Sequence, residues 1–168
     1  MAEIRKATAA DAEKILEYCK IIGGESDNLT FGSEGVSMTV EREKEYLESI
    51  IKSEKQLYLI AVMDGEIVGS GVFSGYAKPR LAHRGEISLS VKKSMWGQHI
   101  GTRLMEEIIH FAKYTAKAEI ISLEVRSDNE RAIALYKKFG FETFGTFKGF
   151  MKIEGEYIDC DMMRLCLG

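Results

Sequence analysis

The stretch that most constrains this chain runs from residue 91 to residue 105 and reads VKKSMWGQHIGTRLM. It follows an apolar segment that alternates at Ile87, Leu89 and Val91, passes through a glycine-containing turn and opens an amphipathic helix. The first N–H groups of a helix have no partner within the helix, and the helix dipole adds positive potential there. Gly97 and Gly101 would let a ligand approach the main chain closely. The stretch therefore predicts a strand–turn–helix unit that binds a phosphate group.

Two familiar phosphate loops do not fit this unit. A P-loop requires Gly-Lys-Ser/Thr at the helix start, whereas Gly101 is followed by Thr102 and Arg103. A dinucleotide fingerprint requires Gly-x-Gly-x-x-Gly in an early βαβ unit and an acidic residue about twenty positions later. The chain has no such pattern, so we expect a phosphorylated ligand that is held in neither of these ways.

Length and composition predict one globular domain over residues 1–168. A chain of 168 residues fits the usual size of a single domain and can bury about two-thirds of its unfolded surface. Its hydrophobic share of 45% and charged share of 29% are typical of globular proteins. The net charge of −3 supplies no basic field for nucleic acid, so no nucleic-acid partner is expected.

The N-terminus, the longest apolar run and the cysteines indicate where the protein is located. Residues 1–6 lack the apolar core of a signal peptide, and the run from Leu57 to Met63 is too short to span a bilayer. Three cysteines without Cys-x-x-Cys spacing are typical of reduced thiols in a cytosolic protein. We therefore expect a cytoplasmic protein without a membrane partner, and the three histidines lack the spacing of metal ligands.

The apolar periodicity predicts strands and helices in alternation. Asp64-Gly65 predicts a hairpin, and a strand after the phosphate-turn helix must run parallel to the strand before it. Expected strands cover residues 3–7, 57–63, 67–75, 86–91 and 120–125, with a final antiparallel pair around Glu154-Gly155. Expected helices follow Thr8 and Thr39, begin at the phosphate turn and cover residues 129–139; residues 23–38 and 76–83 are expected loops. Expected inward residues of the helices are Val40, Leu47, Ile50 and Ile51, and Ile100, Leu104, Ile108, Phe111 and Thr115.

The phosphate turn resembles the acetyl-CoA motif of the GNAT N-acetyltransferases, Gln/Arg-x-x-Gly-x-Gly/Ala. Trp96 falls on the Gln/Arg position, His99 on the first Gly and Gly101 on the Gly/Ala. The Trp-Gly form is similar to the subgroup of spermidine and ribosomal-protein N-terminal acetyltransferases. His99 departs from the pattern: either its side chain points outward, or its imidazole donates to a phosphate.

A second segment resembles the C-terminal signature of the same family, Asn-x-x-Ala-x-x-Leu-Tyr-x-x-x-Gly-Phe. It lies between Ser127 and Phe141, at the family's usual distance behind the phosphate turn. The tail from Gly149 to Asp159 is similar to the closing hairpin of the spermidine and ribosomal-protein enzymes. The matching positions are Asn129, Ala132, Leu135, Tyr136, Gly140 and Phe141.

The resemblance implies an α+β, GNAT-like fold, in which a mixed, mostly antiparallel sheet is flanked by helices and two parallel strands meet at the cofactor site. It also implies acetyl-CoA as the co-substrate and no metal. Leu89 to Val91 would offer backbone groups to the pantetheine arm and an N–H to the oxyanion. The expected cofactor-binding residues are Leu89, Ser90, Val91, Gln98, His99, Ile100, Gly101, Thr102, Asn129 and Tyr136.

Acyl transfer to an amine requires a base for the ammonium proton and an acid for the departing thiolate. Tyr136 is the candidate acid, since a phenol remains protonated at neutral pH; the alternative is a purely structural core residue. Glu86 is the candidate base, directly or through water, because strand alternation places it opposite Ile87; the alternatives are a solvated residue or a salt bridge to Arg84. Asn129 could bind the cofactor, cap the helix that starts there, or do both.

The sequence thus predicts an acetyl-CoA-dependent N-acetyltransferase that acts on a primary amine by direct attack. The acceptor is expected to be a small molecule or a polyamine. The alternatives are a protein N-terminal or lysine acetyltransferase and a non-catalytic acyl-CoA-binding sensor. Residues 23–38 and the final hairpin are expected to set acceptor specificity, and the other partner considered is a second copy of the chain in a homodimer.

Overall fold

A computed structural model describes all residues from Met1 to Gly168. The strands are β1 (Glu3–Lys6), β2 (Gln56–Met63), β3 (Glu66–Gly75), β4 (Arg84–Val91), β5 (Ile120–Arg126), β6 (Glu142–Ile153) and β7 (Glu156–Cys166). The helices are α1 (Ala12–Glu25), α2 (Val40–Ile51), α3 (Ile100–Tyr114) and α4 (Glu130–Lys138). Short 3-10 turns precede α1 and α3.

All seven strands form one sheet in the order β1-β2-β3-β4-β5-β7-β6. Every neighbouring pair is antiparallel except β4 and β5, which are parallel because α3 lies between them in the chain. The predicted fold class is therefore confirmed, including the parallel pair of strands.

The helices divide between the two faces of the sheet and create two apolar cores. Alternate residues of β2 show the division: Leu57 and Leu59 face a core with α3 and α4, whereas Ile60 faces a core with α1 and α2. Gly71 brings α3 close to β3, because a Cβ there would lie 2.7 Å from the Cδ1 atom of Ile108. The core around α3 is the larger one and fixes the orientation of the phosphate turn.

Local sequence signals formed the expected turns and caps. Thr8 and Asp11 make a capping box before α1, and the Thr39 side chain accepts the Arg42 N–H at the start of α2. Asp64 and Gly65 have φ values of 51° and 78°, the left-handed pair that a two-residue hairpin requires.

Three sequence predictions were wrong in detail. The loop predicted for residues 23–38 begins later, because α1 continues to Glu25. Gly23 serves close packing, since a Cβ there would lie 2.0 Å from the carbonyl oxygen of Gly32 in the returning loop. Ile51 and Thr115 are exposed at the last residue of α2 and just beyond α3, so the apolar faces end one turn earlier than predicted.

None of the four helices has both the length and the apolar character needed to cross a lipid bilayer. No set of three or more His, Cys, Asp or Glu side chains is grouped as metal ligands would be.

Candidate active site

The site is a gap between β4 and β5. These strands pair only from Arg84 to Glu86 on β4 and from Ile120 to Ser122 on β5. Beyond Glu86, β4 stays paired with β3 up to Val91, and β5 stays paired with β7 up to Arg126. The two halves of the sheet therefore separate here, and the inner edge of β4 has no neighbouring strand.

The phase of the β3–β4 ladder decides which β4 groups face this gap. The Lys92 N–H donates to Val68 and the Tyr76 N–H donates to Arg84, so even-numbered β4 residues bond to β3. The main-chain groups of Leu89 and Val91 consequently point into the gap. The Val91 carbonyl accepts the indole N–H of Trp96 at 3.1 Å. Of these two residues, Leu89 lies nearer the point where the strands part.

Ser90 is placed differently from its two neighbours. Its backbone faces β3, and its hydroxyl lies 3.0 Å from the hydroxyls of both Tyr18 and Ser70. Ser90 thus contributes a side chain to the cavity, and its main chain belongs to the β3–β4 ladder.

The turn before α3 presents a continuous set of unpaired amides. No main-chain or side-chain acceptor in the protein takes the N–H groups of residues 97–102. His99 adopts the left-handed conformation, with φ 60° and ψ 18°. This is a conformation that glycine adopts without strain, which accounts physically for the glycine of the family motif. Glu25 fixes the start of the turn by accepting the Lys93 N–H at 2.9 Å.

Gly101 keeps the floor of the gap open. A Cβ at this position would lie 3.3 Å from Leu135, 3.7 Å from Leu89 and 3.9 Å from Val91. The missing side chain therefore leaves space between α3, α4 and β4, and the helix-start amides open onto the same space.

The gap encloses a cavity of about 270 Å³. Tyr136 lines it from α4; the side chain is buried, but its hydroxyl makes no hydrogen bond to the protein. Burial raises the pKa of Tyr136 to about 12, so the phenol is protonated at neutral pH. The predicted residues that line the cavity together are Leu89, Ser90, Val91, His99, Ile100, Gly101, Thr102, Asn129 and Tyr136.

Two predicted site residues do not line this cavity. The Gln98 side chain lies outside against the Met95 sulfur, although its main-chain N–H is among the unpaired amides. Glu86 lies on the opposite face of β4 from Ile87. Asn129 does line the cavity, and its side-chain oxygen accepts the Ala132 N–H at 3.2 Å, so its predicted capping role is confirmed.

The sheet face that carries Glu86 is bare beyond the reach of α1 and α2. Glu86 and Ser88 are exposed there, and Glu86 accepts the hydroxyl of Tyr76 at 2.7 Å. This hydrogen bond raises the pKa of Tyr76. The alternative of a salt bridge from Glu86 to Arg84 is not realised, because the Arg84 guanidinium lies over the Tyr76 ring at 5.4 Å.

Sequence reasoning missed a second carboxylate on this face. Glu124 of β5 lies two residues beyond Ser122, the last residue of β5 that pairs with β4, and so stands where the strands separate. Burial, with a smaller contribution from the charge of Glu86, raises the pKa of Glu124. The sequence pattern that could have identified Glu124 is the apolar alternation of Ile121, Leu123 and Val125, which puts residue 124 on the face opposite the core.

Comparisons with known proteins agree with this geometry. Residues 28–141 match the model of the acetyltransferase (GNAT) family. The L-amino acid N-acetyltransferase AaaT of Escherichia coli is 33% identical over 105 residues, which are 62% of this chain and 65% of AaaT. An N-alpha-acetyltransferase of Sulfolobus acidocaldarius is 31% identical over 147 residues, 83% of this chain and 79% of that protein.

A solved structure gives the same result for the fold. The acetyltransferase of GNAT family from Streptococcus pneumoniae superposes with a TM-score of 0.95 and 27% identity, over 100% of both chains. The family match covers more than half of this chain and includes the phosphate turn, the gap and Tyr136. This protein is a member of the GNAT family of acetyltransferases.

Proposed function

We propose that this chain is an acetyl-CoA-dependent N-acetyltransferase that acts on a primary amine. The observation that carries the proposal is the gap, in which unpaired β4 groups, the free amides of residues 97–102 and the unpaired Tyr136 hydroxyl open onto one cavity. A long thiol ester with an amide-containing arm and phosphates at one end matches these three features in order.

The residues present fit acetyl-CoA. The amides of residues 97–102 would hold phosphate oxygens, and the main-chain groups of Leu89 and Val91 would pair with the amide-containing arm. Val91 has one group already bonded to Trp96, so Leu89 is the better candidate for the donor to the acetyl oxygen. When bound, acetyl-CoA supplies an activated acetyl thioester.

Three side chains are candidates for the proton transfers of the reaction. The Tyr136 hydroxyl would donate its proton to the departing sulfur, as its raised pKa and lack of a protein partner allow. Glu86 was the predicted acceptor of the amine proton, and Glu124 joins it on the same sheet face. A raised pKa brings Glu124 closer to neutral pH, where a base works best, while Glu86 is held by Tyr76.

The charges of the bare face favour an amine without a neighbouring carboxylate. Arg126 is bonded to both carboxylate oxygens of Asp128, and Arg164 is paired with Glu142 at 3.5 Å. Glu124 makes neither a salt bridge nor a side-chain hydrogen bond. A polyamine or another cationic small molecule complements the carboxylates Glu86 and Glu124, whereas the carboxylate of an amino acid would find only Arg84, which lies over the Tyr76 ring, without a carboxylate partner.

A matched pair of acceptors tests this proposal. Cadaverine and L-lysine differ by one carboxylate, so release of the CoA thiol should be faster with cadaverine at equal concentration. A peptide with a free N-terminus and a blocked C-terminus tests the alternative of a protein acetyltransferase. Preference for L-lysine would contradict the acceptor proposal. Tight acetyl-CoA binding without turnover on any amine would instead indicate the sensor.

The pH–rate profiles of two variants test whether Glu86 or Glu124 accepts the proton of the amine. In Glu86→Gln and Glu124→Gln, loss of a proton acceptor should slow turnover most at low pH, where neutral amine is scarce. The defect should shrink at high pH, because free amine becomes abundant. Glu66→Gln, on the distant β2–β3 hairpin, is the control. If both profiles run parallel to that of the parent, neither carboxylate accepts the proton, and water becomes the leading base.

A further inference from the structure

Trp96 and Arg131 form an exposed stack at the mouth of the cavity. The Arg131 guanidinium lies 4.4 Å from the centroid of the Trp96 ring, and Lys93 approaches the same ring at 5.9 Å. The indole N–H is fixed by the Val91 carbonyl at 3.1 Å. The ring therefore has a defined orientation, although 37% of the residue is exposed.

Arg131 is a cation without a carboxylate partner. It forms no salt bridge and no hydrogen bond within the protein, and its side chain is exposed. The nearby Asp128 is already bonded through both oxygens to Arg126, at 2.7 and 2.8 Å. Its negative charge is therefore satisfied locally, and Arg131 remains available to an anion from outside.

The stack leaves the hydrogen-bonding edge of Arg131 free. A guanidinium that lies over an aromatic ring uses its face, while its N–H groups stay in its own plane. Arg131 belongs to the first turn of α4 and lines the same cavity as the amides before α3. The free amides before α3 and a planar cation thus converge on one space, which is an arrangement that recognises phosphate oxygens.

We propose that Arg131 binds a phosphate group of acetyl-CoA and that Trp96 positions it for this contact. The proposal rests on the proposed function and adds a residue pair to its binding site. Trp96 occupies the Gln/Arg position of the family motif, and of the two cations beside its ring only Arg131 of α4 lines the cavity.

The test compares two ligands that share the acetyl thioester arm but differ in phosphate. Calorimetry should show that Arg131→Met binds acetyl-CoA roughly 10- to 100-fold more weakly than the parent, as expected for a lost charge-assisted hydrogen bond. Acetyl-pantetheine has no phosphate, so both proteins should bind it equally. Lys137→Met, which removes an exposed cation from the last turn of α4, is the matched control and should bind acetyl-CoA as the parent does.

Trp96 provides a second readout because it is the only tryptophan in the chain. Acetyl-CoA should change its fluorescence in the parent, and acetyl-pantetheine should change it much less. A double-mutant cycle with Trp96→Leu should show that Arg131→Met costs little more once the ring is gone. Independent, additive losses would overturn the positioning role of Trp96.

Two outcomes separate this proposal from the proposed function. If the parent fails to bind acetyl-CoA at all, both are overturned. If the parent binds it and Arg131→Met binds it equally well, or loses affinity for acetyl-pantetheine to the same extent, only the phosphate contact is overturned. Either result is read from binding alone, without an acceptor.

Discussion

At the scale of the residue, Tyr136 is the side chain whose surroundings most favour a functional role over a structural one. Its hydroxyl opens onto the cavity and has no protein partner, whereas the Tyr18 hydroxyl is bonded to Ser90 at 3.0 Å. A hydroxyl that faces the cavity without a protein partner is free to bond a ligand, which is what the proposed role of a proton donor to sulfur requires.

The Tyr136→Phe variant should therefore keep the fold and the affinity for acetyl-CoA but turn over ~10²–10⁴-fold more slowly. The physical reason is that the hydroxyl matters mainly as charge develops on the departing sulfur. Thiol release measures turnover, and calorimetry measures affinity. Tyr114→Phe, at the exposed end of α3, is the control. A fully active Tyr136→Phe protein would return Tyr136 to a structural role.

His99 is a strained residue, because its φ of 60° is costly for any side chain with a Cβ. His99→Gly should raise the free energy of unfolding by about 1 kcal/mol, as measured by chemical denaturation. Lys117, with φ 58° and outside the cavity, is the matched site, and Lys117→Gly should stabilise similarly. If His99→Gly weakens acetyl-CoA binding and Lys117→Gly does not, the imidazole contacts the ligand. If His99→Gly is less stable than the parent, the strain argument is wrong.

The candidate site residues that line the cavity are ones that a local sequence pattern had marked. Asn129 and Tyr136 were found because both belong to one contiguous signature on α4. Glu124 was missed although it lies only a few residues upstream, because its position depends on where β4 and β5 stop pairing. That point is set by tertiary structure, and no local pattern encodes it.

At the scale of the element, the strand–turn–helix unit was predicted because its determinants are local. The alternation of β4 and the apolar face of α3 each appear within one segment. The Gly23-Gly24 pair was misread for the opposite reason. Glycine often ends a helix, but here Gly23 lies within α1 and lets the loop that follows the helix fold back against it at Gly32, a contact that the pattern within the helix does not reveal.

Substitutions of Gly101 test whether the strand–turn–helix unit binds acetyl-CoA. Gly101→Val should abolish acetyl-CoA binding while the protein stays folded, because the new side chain would fill the space between Leu89 and Leu135. Gly101→Ala adds only a Cβ at 3.3 Å from Leu135 and should cause a smaller loss. Circular dichroism checks folding, and calorimetry checks binding. Unchanged affinity in a folded Gly101→Val protein would contradict this account of the gap.

At the scale of the whole molecule, the sheet order and the separation of its halves were beyond the sequence. The parallel relation of β4 and β5 followed from the helix between them, but the length of their pairing did not. The exchange of β6 and β7 in the order β5-β7-β6 likewise depends on packing between distant segments. The fold class was therefore predictable, and the cavity that the fold creates was not.

Glu43 is a buried residue of α2 without a salt bridge or hydrogen bond. It should make the free energy of unfolding of the whole protein depend on pH. It faces Cys19 of α1 and Tyr58 of β2, and Tyr46 lies near it on its own helix. Burial raises the pKa of Glu43. The stability that protonated Glu43 confers is therefore complete below its unfolded pKa and is lost as pH rises through the folded one.

Glu43→Gln should accordingly be more stable than the parent near neutral pH, by about 1 kcal/mol, and the difference should vanish near pH 4. Glu48→Gln, on the exposed face of α2, should show no such trend. Urea denaturation across this pH range measures the effect. A constant difference between Glu43→Gln and the parent at all pH values would show that Glu43 does not titrate in the way its burial requires.

The gap between β4 and β5 also creates a free sheet edge inside the protein. The outer edges carry the usual safeguards against pairing with other chains: β1 is four residues long, and β6 bears Lys148, Lys152 and a bulge between Phe147 and Met151. The inner edge, Ile87 to Val91, has no charged residue and no proline. Residues of α3 and α4 line the same cavity as this edge, so we expect the walls of the gap, together with a bound ligand, to keep the strand of another chain from pairing here.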